Sequence, residues 1–264
     1  MLDIIYGEAT DAGRVWPRNA DSAAVFVPQS RQQLRSRGWM FAVADGRGGN
    51  DLGRIASARA VERMVEGFGS VAEGVSLASL MPRLVQDANA AVHDEALGPG
   101  RRGRLLSTTI VSCALRNDTA VVAHVGDSRC YLIREHKATL LTQDRTLALH
   151  THEGGEQTPG EMQRPEPLHS SRSLGPEMFI AVETRSFPLQ PGDVLVLCTD
   201  GLYEAMYPED IARIASQAKA PDEIARELVA YAVQADGADN ATAQVIRIQA
   251  IEAAVARPRA AAAS

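Results

Sequence analysis

Residues 108–134, TTIVSCALRNDTAVVAHVGDSRCYLIR, contain three apolar runs of β-like composition, with turn residues at 117–118 and 126–127 between them. A fourth short run follows at 139–141. Strands at this close spacing form antiparallel sheets, because parallel strands need crossover connections of about a dozen residues or more. The segment therefore predicts an antiparallel β-sheet.

The rest of the chain adds strands and helices around this segment. Further strands are predicted at 4–6, 23–27, 39–44, 179–187, 193–199 and 242–248. Apolar residues at helical spacing predict helices at 52–68, 79–97, 209–217 and 222–235. Ser79 is the expected N-cap of the second helix, and Ile224, Leu228 and Tyr231 are expected to face inward on the last. The predicted fold class is α+β, with two antiparallel sheets and helices outside them.

The chain has 264 residues, of which 45% are hydrophobic and 23% charged, as in an ordinary globular protein. We expect a single domain over residues 1–250, with a long irregular insert at 143–175 and an Ala-rich tail at 251–264. The net charge of −6 gives no general attraction to nucleic acid or to an acidic membrane. Three cysteines without a C-x-x-C pair fit a reducing compartment, and a signal peptide or membrane helix is not apparent. These features predict a cytoplasmic protein.

Four aspartates stand at the ends of predicted strands. Asp45, Asp127 and Asp200 each follow an apolar strand, and Asp239 comes just before the strand at 242–248. A single Asp-Gly pair is usually a hairpin turn. Four carboxylates delivered to one rim repel each other unless cations neutralise them, and an all-oxygen set suits Mg²⁺ or Mn²⁺. Such a site activates water for hydrolysis of a phosphate ester.

Other phosphatase and phosphate-binding mechanisms lack their residues. A cysteine phosphatase needs an arginine six positions after its nucleophile. The residues six after Cys113, Cys130 and Cys198 are Thr119, His136 and Glu204. Gly-x-Ser-x-Gly, Walker A and His-Glu-x-x-His motifs are absent from the sequence. His150 and His152 lack a third nitrogen or sulfur ligand at suitable spacing, which favours solvated loop histidines over a zinc site.

Seven motifs in order resemble those of the metal-dependent serine/threonine protein phosphatases of the PP2C (PPM) type, in particular the bacterial branch. They are DGRGG (45–49), STT (107–109), GDSRCYL (126–132), LTQD (141–144), SRSLG (171–175), GDVLVLCTDG (192–201) and DNAT (239–242). The resemblance implies a β-sandwich flanked by helices, an α-β-β-α arrangement. It also implies that residues 145–172 form a flap subdomain beside the active site.

The resemblance further implies a site for two Mn²⁺ or Mg²⁺ ions. Asp45 matches the carboxylate that bridges the ions, and the Gly46 carbonyl is a further ligand. Asp200 and Asp239 match the acidic partners of the second ion, and Asp21 matches the second acid of the family's Asn-Glu-Asp motif. Asp45, Asp200 and Asp239 are thus the expected catalytic residues.

A third ion is implied between Asp127 and Asp200, as in bacterial members of the family. Asp127 also has a simpler interpretation as a turn residue, and we keep that interpretation for Asp193, which begins a strand. Asp144 is expected to hold a loop by backbone hydrogen bonds rather than to bind metal.

Two positions depart from the family pattern. Trp16 stands where the family has a phosphate-binding arginine, and Ala20 stands where it has a metal-holding glutamate. An arginine can bind two phosphate oxygens at once, so a neighbouring arginine could take over phosphate binding. Arg47 is the preferred candidate and Arg18 the second, while Arg14 is expected to be solvated.

The leading hypothesis is a phosphoprotein phosphatase that hydrolyses phosphoserine and phosphothreonine with a metal-activated water. Its implied partners are a phosphoprotein substrate and a bacterial Ser/Thr kinase that it opposes, and we expect a monomer. Trp16 and Ala20 motivate a second hypothesis, a phosphatase-like regulatory or binding module with impaired catalysis. A metal phosphohydrolase acting on small molecules stays open as a third.

Overall fold

The computed structural model describes residues 2–47, 51–98, 104–143 and 173–252. In these ranges the strands are β1 (Leu2–Asp11), β2 (Ser22–Phe26), β3 (Trp39–Ala44), β4 (Ile110–Arg116), β5 (Thr119–Val125), β6 (Arg129–Arg134), β7 (Lys137–Leu140), β8 (Glu183–Pro188), β9 (Val194–Cys198) and β10 (Ala241–Ile251). The helices are α1 (Arg31–Ser36), α2 (Asp51–Ser70), α3 (Leu77–Ala96), α4 (Asp200–Tyr203), α5 (Pro208–Ala215) and α6 (Pro221–Ala235).

The strands form two five-stranded sheets, and every pairing is antiparallel. One sheet has the order β1-β10-β9-β6-β7 and the other β2-β3-β4-β5-β8. The connection from β5 to β6 passes from the second sheet to the first. The prediction of two antiparallel sheets is therefore confirmed.

Strand alternation divides the interior into three layers. On β3, Met40, Ala42 and Ala44 pack against α2 and α3, while Phe41 and Val43 pack between the two sheets. The first sheet repeats this division, with α5 and α6 covering its outer face. Because side chains on a strand point to alternate faces, a run buried on both faces reads as continuously apolar. The layers are helix, sheet, sheet and helix, as predicted.

Some local predictions were wrong. The helix expected at 79–97 begins at Leu77, so Ser79 is not its N-cap; Ser79 donates a hydrogen bond of 3.0 Å to the Ser76 carbonyl. Tyr231 is 37% exposed, because the buried stripe of α6 runs through Leu228, Val229 and Ala232 and leaves Tyr231 at its edge.

Several boundaries also moved. β1 extends over ten residues where only a short apolar run was expected, because it pairs along its length with β10. β8 is confined to Glu183–Pro188 rather than starting at 179, and α1 and α4 were not predicted. β10 ends at Ile251, one residue into the segment assigned to the tail. The predicted flap at 145–172 and the tail from 253 lie outside the described residues.

Across the described residues, no helix has the length and apolar character needed to cross a membrane. All three cysteines are buried.

Candidate active site

The sheet topology brings the ends of several strands to one rim of the sandwich. β3 and β5 both lie antiparallel to β4 between them, so their C-terminal ends, which lead to Asp45 and Asp127, meet at the same edge. In the other sheet the end of β9 lies beside the start of β10, with Cys198 opposite Ala243. This pairing places Asp200 close to Asp239.

These residues surround a cavity of about 420 Å³ at the rim. The described residues that line it are Trp16, Ala20, Asp45, Gly46, Arg47, Asp127, Asp200, Glu204, Asp239 and Asn240. Five of them are acidic, and among these described residues only Arg47 is basic. The structure thus brings together the four strand-end aspartates that the sequence singled out.

Neutral hydroxyl and amide groups fix the backbone of Asp45. Its amide donates to Thr109 Oγ1 over 3.0 Å, and its carbonyl accepts from Thr108 Oγ1 over 2.7 Å and from the Thr109 amide over 2.9 Å. Thr109 Oγ1 in turn lies 2.6 Å from Ser128 Oγ, beside Asp127. This chain of hydroxyls links the loop after β3 to the loop after β5.

Gly46 follows Asp45 and packs tightly against the first turn of α2. Its carbonyl oxygen would be only 2.4 Å from a Cβ at Gly53, and a Cβ at Gly46 would be 2.2 Å from the Gly53 carbonyl oxygen. Both positions therefore require glycine. Arg47 is fixed next in the chain by its amide, which donates to the Ser107 carbonyl over 2.9 Å.

Asp21 lies behind the cavity rather than in its lining. Its Oδ2 accepts hydrogen bonds from Thr242 Oγ1 at 2.6 Å and from Thr199 Oγ1 at 2.9 Å. Its Oδ1 is buried and has no hydrogen-bond partner among the described residues. The two threonines belong to the strand ends that carry Asp200 and Asp239, so Asp21 is held directly beneath the acidic cluster.

Asn240 ties the N-terminal loop to the rim. Its side-chain oxygen accepts from the Ala20 amide over 2.7 Å, and its amide nitrogen donates to the Ala12 carbonyl over 2.8 Å. A Cβ at Gly201 would be 2.2 Å from the Asn240 carbonyl oxygen, so the backbone after Asp200 approaches this residue closely. Asn240 was quoted in a motif, but sequence reasoning gave it no role.

Crowding and burial shift the ionisation of the cluster. Burial is the main reason that the pKa of Asp200 rises to about 7, and the surrounding carboxylates raise it further. The pKa of Asp45 is raised well above its usual range, again by burial first and then by Asp200 and its other acidic neighbours. Burial also raises the pKa of Asp21 to about 6, against the two threonine hydrogen bonds that lower it. The arrangement favours any positive charge that enters the cavity.

Arg47 already supplies one such charge. Its Nη2 lies 2.5 Å from Asp127 Oδ2, and both side chains are 26% exposed. Arg47 Nε and Asp127 Oδ1 are buried and without a hydrogen-bond partner in the described part of the chain. Arg47 therefore lines the cavity as expected, but it is engaged with a predicted metal ligand.

The structure places the other candidates differently. Arg18 forms an exposed ion pair with Asp51 and does not line the cavity. Trp16 is 40% exposed at the cavity, and Ala20 is buried there. Asp193 lies outside the site, where Arg134 donates to both of its carboxylate oxygens at 2.7 Å. This ion pair to a buried aspartate agrees with a structural role for Asp193.

The donor set fits hard divalent cations of the Mg²⁺ or Mn²⁺ type. Carboxylate oxygens are the ligands that these ions prefer, and buried unpartnered oxygens on Asp21 and Asp127 show unused donor capacity. Within the described ranges, however, no three His, Cys, Asp or Glu side chains are already arranged to hold one ion. The carboxylates ring the cavity without converging on one point.

Sequence reasoning missed the residues that support the aspartates. Glu204, one turn after Asp200, lines the cavity, and Thr199 and Thr242 bind Asp21. Each lies within four residues of a strand-end acid in the sequence, which is a signal that could have found them. Asp144 lies outside the described residues.

Comparisons with known proteins agree with this fold. A family model described as "Protein phosphatase 2C" matches residues 29–241. "Serine/threonine phosphatase stp" of Listeria monocytogenes is 28% identical over 244 residues, covering 90% of this chain and 93% of the relative. The serine/threonine phosphatase PstP/Ppp of Mycobacterium tuberculosis is 26% identical with a TM-score of 0.74, covering 94% of this chain and 99% of that one.

A second solved structure shows a PstP catalytic domain in complex with two manganese ions. It is 26% identical, with a TM-score of 0.75, and the match covers 95% of this chain and 100% of that one. The family match spans most of the chain, and the two antiparallel sheets flanked by helices are those that the resemblance implied. The chain belongs to the protein phosphatase 2C family, and its enzyme class is that of the protein serine/threonine phosphatases.

Proposed function

We propose that this chain is a divalent-metal-dependent phosphatase that hydrolyses phosphoserine and phosphothreonine in proteins. One observation carries the proposal: Asp45, Asp127, Asp200 and Asp239 reach one cavity from four separate strand ends. Four crowded carboxylates without cations destabilise a folded protein, and burial with repulsion is what raises the pKa of Asp45 and Asp200. A metal-binding role accounts for their retention at one rim.

The residues that would hold the ions are those already placed at the rim. Asp45, Asp200 and Asp239 would be the main ligands, with the Gly46 carbonyl beside them and Asp21 behind. The related PstP domain binds two manganese ions, which supports two ions here. When bound, Mn²⁺ or Mg²⁺ supplies electrophilic charge for phosphate oxygens and lowers the pKa of water.

The chain's own groups bind and orient the phosphorylated residue. The Arg47 guanidinium has five donors and engages Asp127 through Nη2, which leaves further donors for phosphate oxygens. Trp16 offers an aromatic face at the cavity next to Ala20. We infer that this face contacts the part of the substrate next to the phosphate, at the position where the family has arginine.

The test is hydrolysis of a phosphothreonine peptide and of p-nitrophenyl phosphate, each with Mn²⁺, Mg²⁺ or excess EDTA. We expect turnover of the peptide with added metal and none with EDTA. Asp239→Asn is the matched loss-of-function variant, and Asp193→Asn is its control, because Asp193 is a buried aspartate remote from the cavity. Full turnover in EDTA, or turnover of the small ester without the peptide, would contradict the proposal.

The departures at Trp16 and Ala20 support a second candidate, a binding module with impaired catalysis. This chain has no carboxylate at position 20, where the buried Ala20 contributes only a methyl group. Such a module would bind a phosphopeptide with Mn²⁺ present and fail to hydrolyse it. Calorimetry with the same phosphothreonine peptide distinguishes the two, since tight binding without phosphate release would favour the module.

We further propose the context of the reaction. Phosphoserine and phosphothreonine are products of protein kinases, so a Ser/Thr kinase must supply the substrate and this chain opposes it. We place the pair in the cytoplasm and the phosphatase as a monomer. Light scattering on the eluted protein would test the oligomeric state, and a dimer mass would contradict it.

A further inference from the structure

The loop between β5 and β6 carries Asp127, one of the two residues assigned to a third ion by the family resemblance. Asp127 Oδ2 is bound by Arg47 Nη2 at 2.5 Å, inside the cavity. The other assigned residue, Asp200, has no arginine or lysine at hydrogen-bonding distance among the described residues; its Oδ1 accepts from the Gly201 amide at 2.8 Å. Positive charge from the chain therefore reaches Asp127 inside the cavity that Asp200 also lines.

Arg47 is held in this position by its backbone. Its amide donates to the Ser107 carbonyl, and the preceding residue Gly46 donates to the Ala20 carbonyl over 3.2 Å. The close packing of Gly46 on Gly53 leaves that loop little room to shift. A tethered guanidinium loses no translational freedom on binding, whereas a free ion must lose it and most of its hydration shell.

A divalent cation bound to Asp127 would have to displace the Arg47 guanidinium or be repelled by its positive charge. Both side chains are about a quarter exposed, so water screens the repulsion only in part. Asp127 could still offer Oδ1, which is buried and unpartnered, but one carboxylate oxygen beside a fixed positive charge is a weak ligand. The donors left to a third ion are therefore poorer than those around Asp45 and Asp239.

We propose that the Arg47 guanidinium takes the place of a third divalent cation at Asp127, so that this chain binds two ions and not three. The inference rests on the metal site of the proposed function and concerns this chain's own residues. It makes Arg47 a built-in cation of the site, independent of the metal concentration.

The experiment counts bound Mn²⁺ in the full chain by equilibrium dialysis and metal analysis, supported by calorimetry. Wild-type protein should bind two ions. Arg47→Met removes the charge at similar side-chain length and should gain a third, weaker site, which the double variant Arg47→Met/Asp127→Asn should lose. Arg213→Met is the matched control, because Arg213 also pairs with an aspartate, Asp210, but lies on α5 away from the cavity.

Two results would overturn the inference: three ions in the wild type, or an unchanged count in folded Arg47→Met. If that variant does not fold, Asp127→Asn alone decides. It should leave the count at two, and a loss of one ion would show that Asp127 holds metal beside Arg47. The count does not depend on turnover. Two ions without hydrolysis would refute the proposed function alone, and three ions with hydrolysis would refute only this inference.

Discussion

Replacing Asp21 by asparagine should stabilise the metal-free protein while weakening metal binding. Asp21 is half-buried beneath the acidic cluster, and its pKa is raised from 3.8 to about 6, mainly by desolvation. A carboxyl whose pKa is raised on folding stabilises the fold below its unfolded pKa, and that stability is lost as pH rises through the folded pKa. Above pH 6 the wild type therefore carries a destabilising charge that asparagine lacks.

The size of the effect follows from the same shift. A rise from 3.8 to about 6 corresponds to about 3 kcal/mol at pH 8, and to about half of that at pH 5. The new side-chain oxygen can keep the hydrogen bonds from Thr199 and Thr242. The new amide nitrogen takes the position of the unpartnered Oδ1, where Asp45 can accept a hydrogen bond from it. Asparagine thus adds no unsatisfied group that would cancel the gain.

Urea unfolding followed by circular dichroism measures this directly, in EDTA at pH 5 and pH 8. We expect Asp21→Asn to be more stable than wild type by about 3 kcal/mol at pH 8, with a smaller difference at pH 5. With saturating Mn²⁺ the wild type should gain more stability than the variant, since ligand binding to the native state stabilises it.

Asp193→Asn is the control for loss of a buried aspartate. It breaks the ion pair with Arg134 and should be less stable than wild type in every buffer, by about 1–3 kcal/mol. The reasoning fails if Asp21→Asn is no more stable than wild type at pH 8 in EDTA. It also fails if the difference between the two proteins is the same at both pH values.

Three further predictions concern the rim. Asp45→Asn should lower turnover of a phosphothreonine peptide by orders of magnitude and leave the circular dichroism spectrum unchanged. Excess EDTA should lower the turnover of the wild type in the same way. Near-normal turnover of the variant would remove Asp45 from the site. Arg47→Ala should raise KM and lower kcat/KM about 10- to 100-fold, more than Arg18→Ala does, and a change within about twofold for both would refute a phosphate role for either. A Gly-to-Ala substitution in a helix ordinarily stabilises a protein by up to about 1 kcal/mol. Gly53→Ala should instead lower the melting temperature and the Mn²⁺ affinity, because its Cβ would displace the Gly46 carbonyl. A higher melting temperature would refute this.

The fold could be predicted from the sequence because its local and long-range signals agree. Apolar runs such as 108–115 and 119–125 are continuous enough to indicate strands buried on both faces, and the short connection between them excludes parallel pairing. Acids at the ends of these runs then fall at one rim for topological reasons. The proximity of Asp45 and Asp127 could therefore be predicted from strand ends alone, without side-chain geometry.

The remaining features depend on contacts that sequence spacing does not encode. Serine is a residue type that is common at N-caps, so Ser79 is a reasonable choice. However, α3 starts two residues earlier, at Leu77, which belongs to the core shared with α2. Arg18 and Arg47 are both basic residues near a strand end. The path of the N-terminal loop brings Arg18 to Asp51, and the loop after β3 brings Arg47 to Asp127. A single residue of displacement along a loop changes which carboxylate a long side chain reaches.

The groups that hold each aspartate correlate with the role that we propose for it. Asp21 is held by threonine hydroxyls, which orient a carboxylate without neutralising it. Asp193, which has a structural role, is neutralised by the two-pronged contact of Arg134. Asp127 is intermediate, because it lies in the cavity and yet pairs with Arg47. A carboxylate that binds a metal ion must not already be paired with an arginine or lysine of the folded chain. The acids held by neutral donors are therefore the ones that metal ions should occupy, and Asp127 is the one that they should leave.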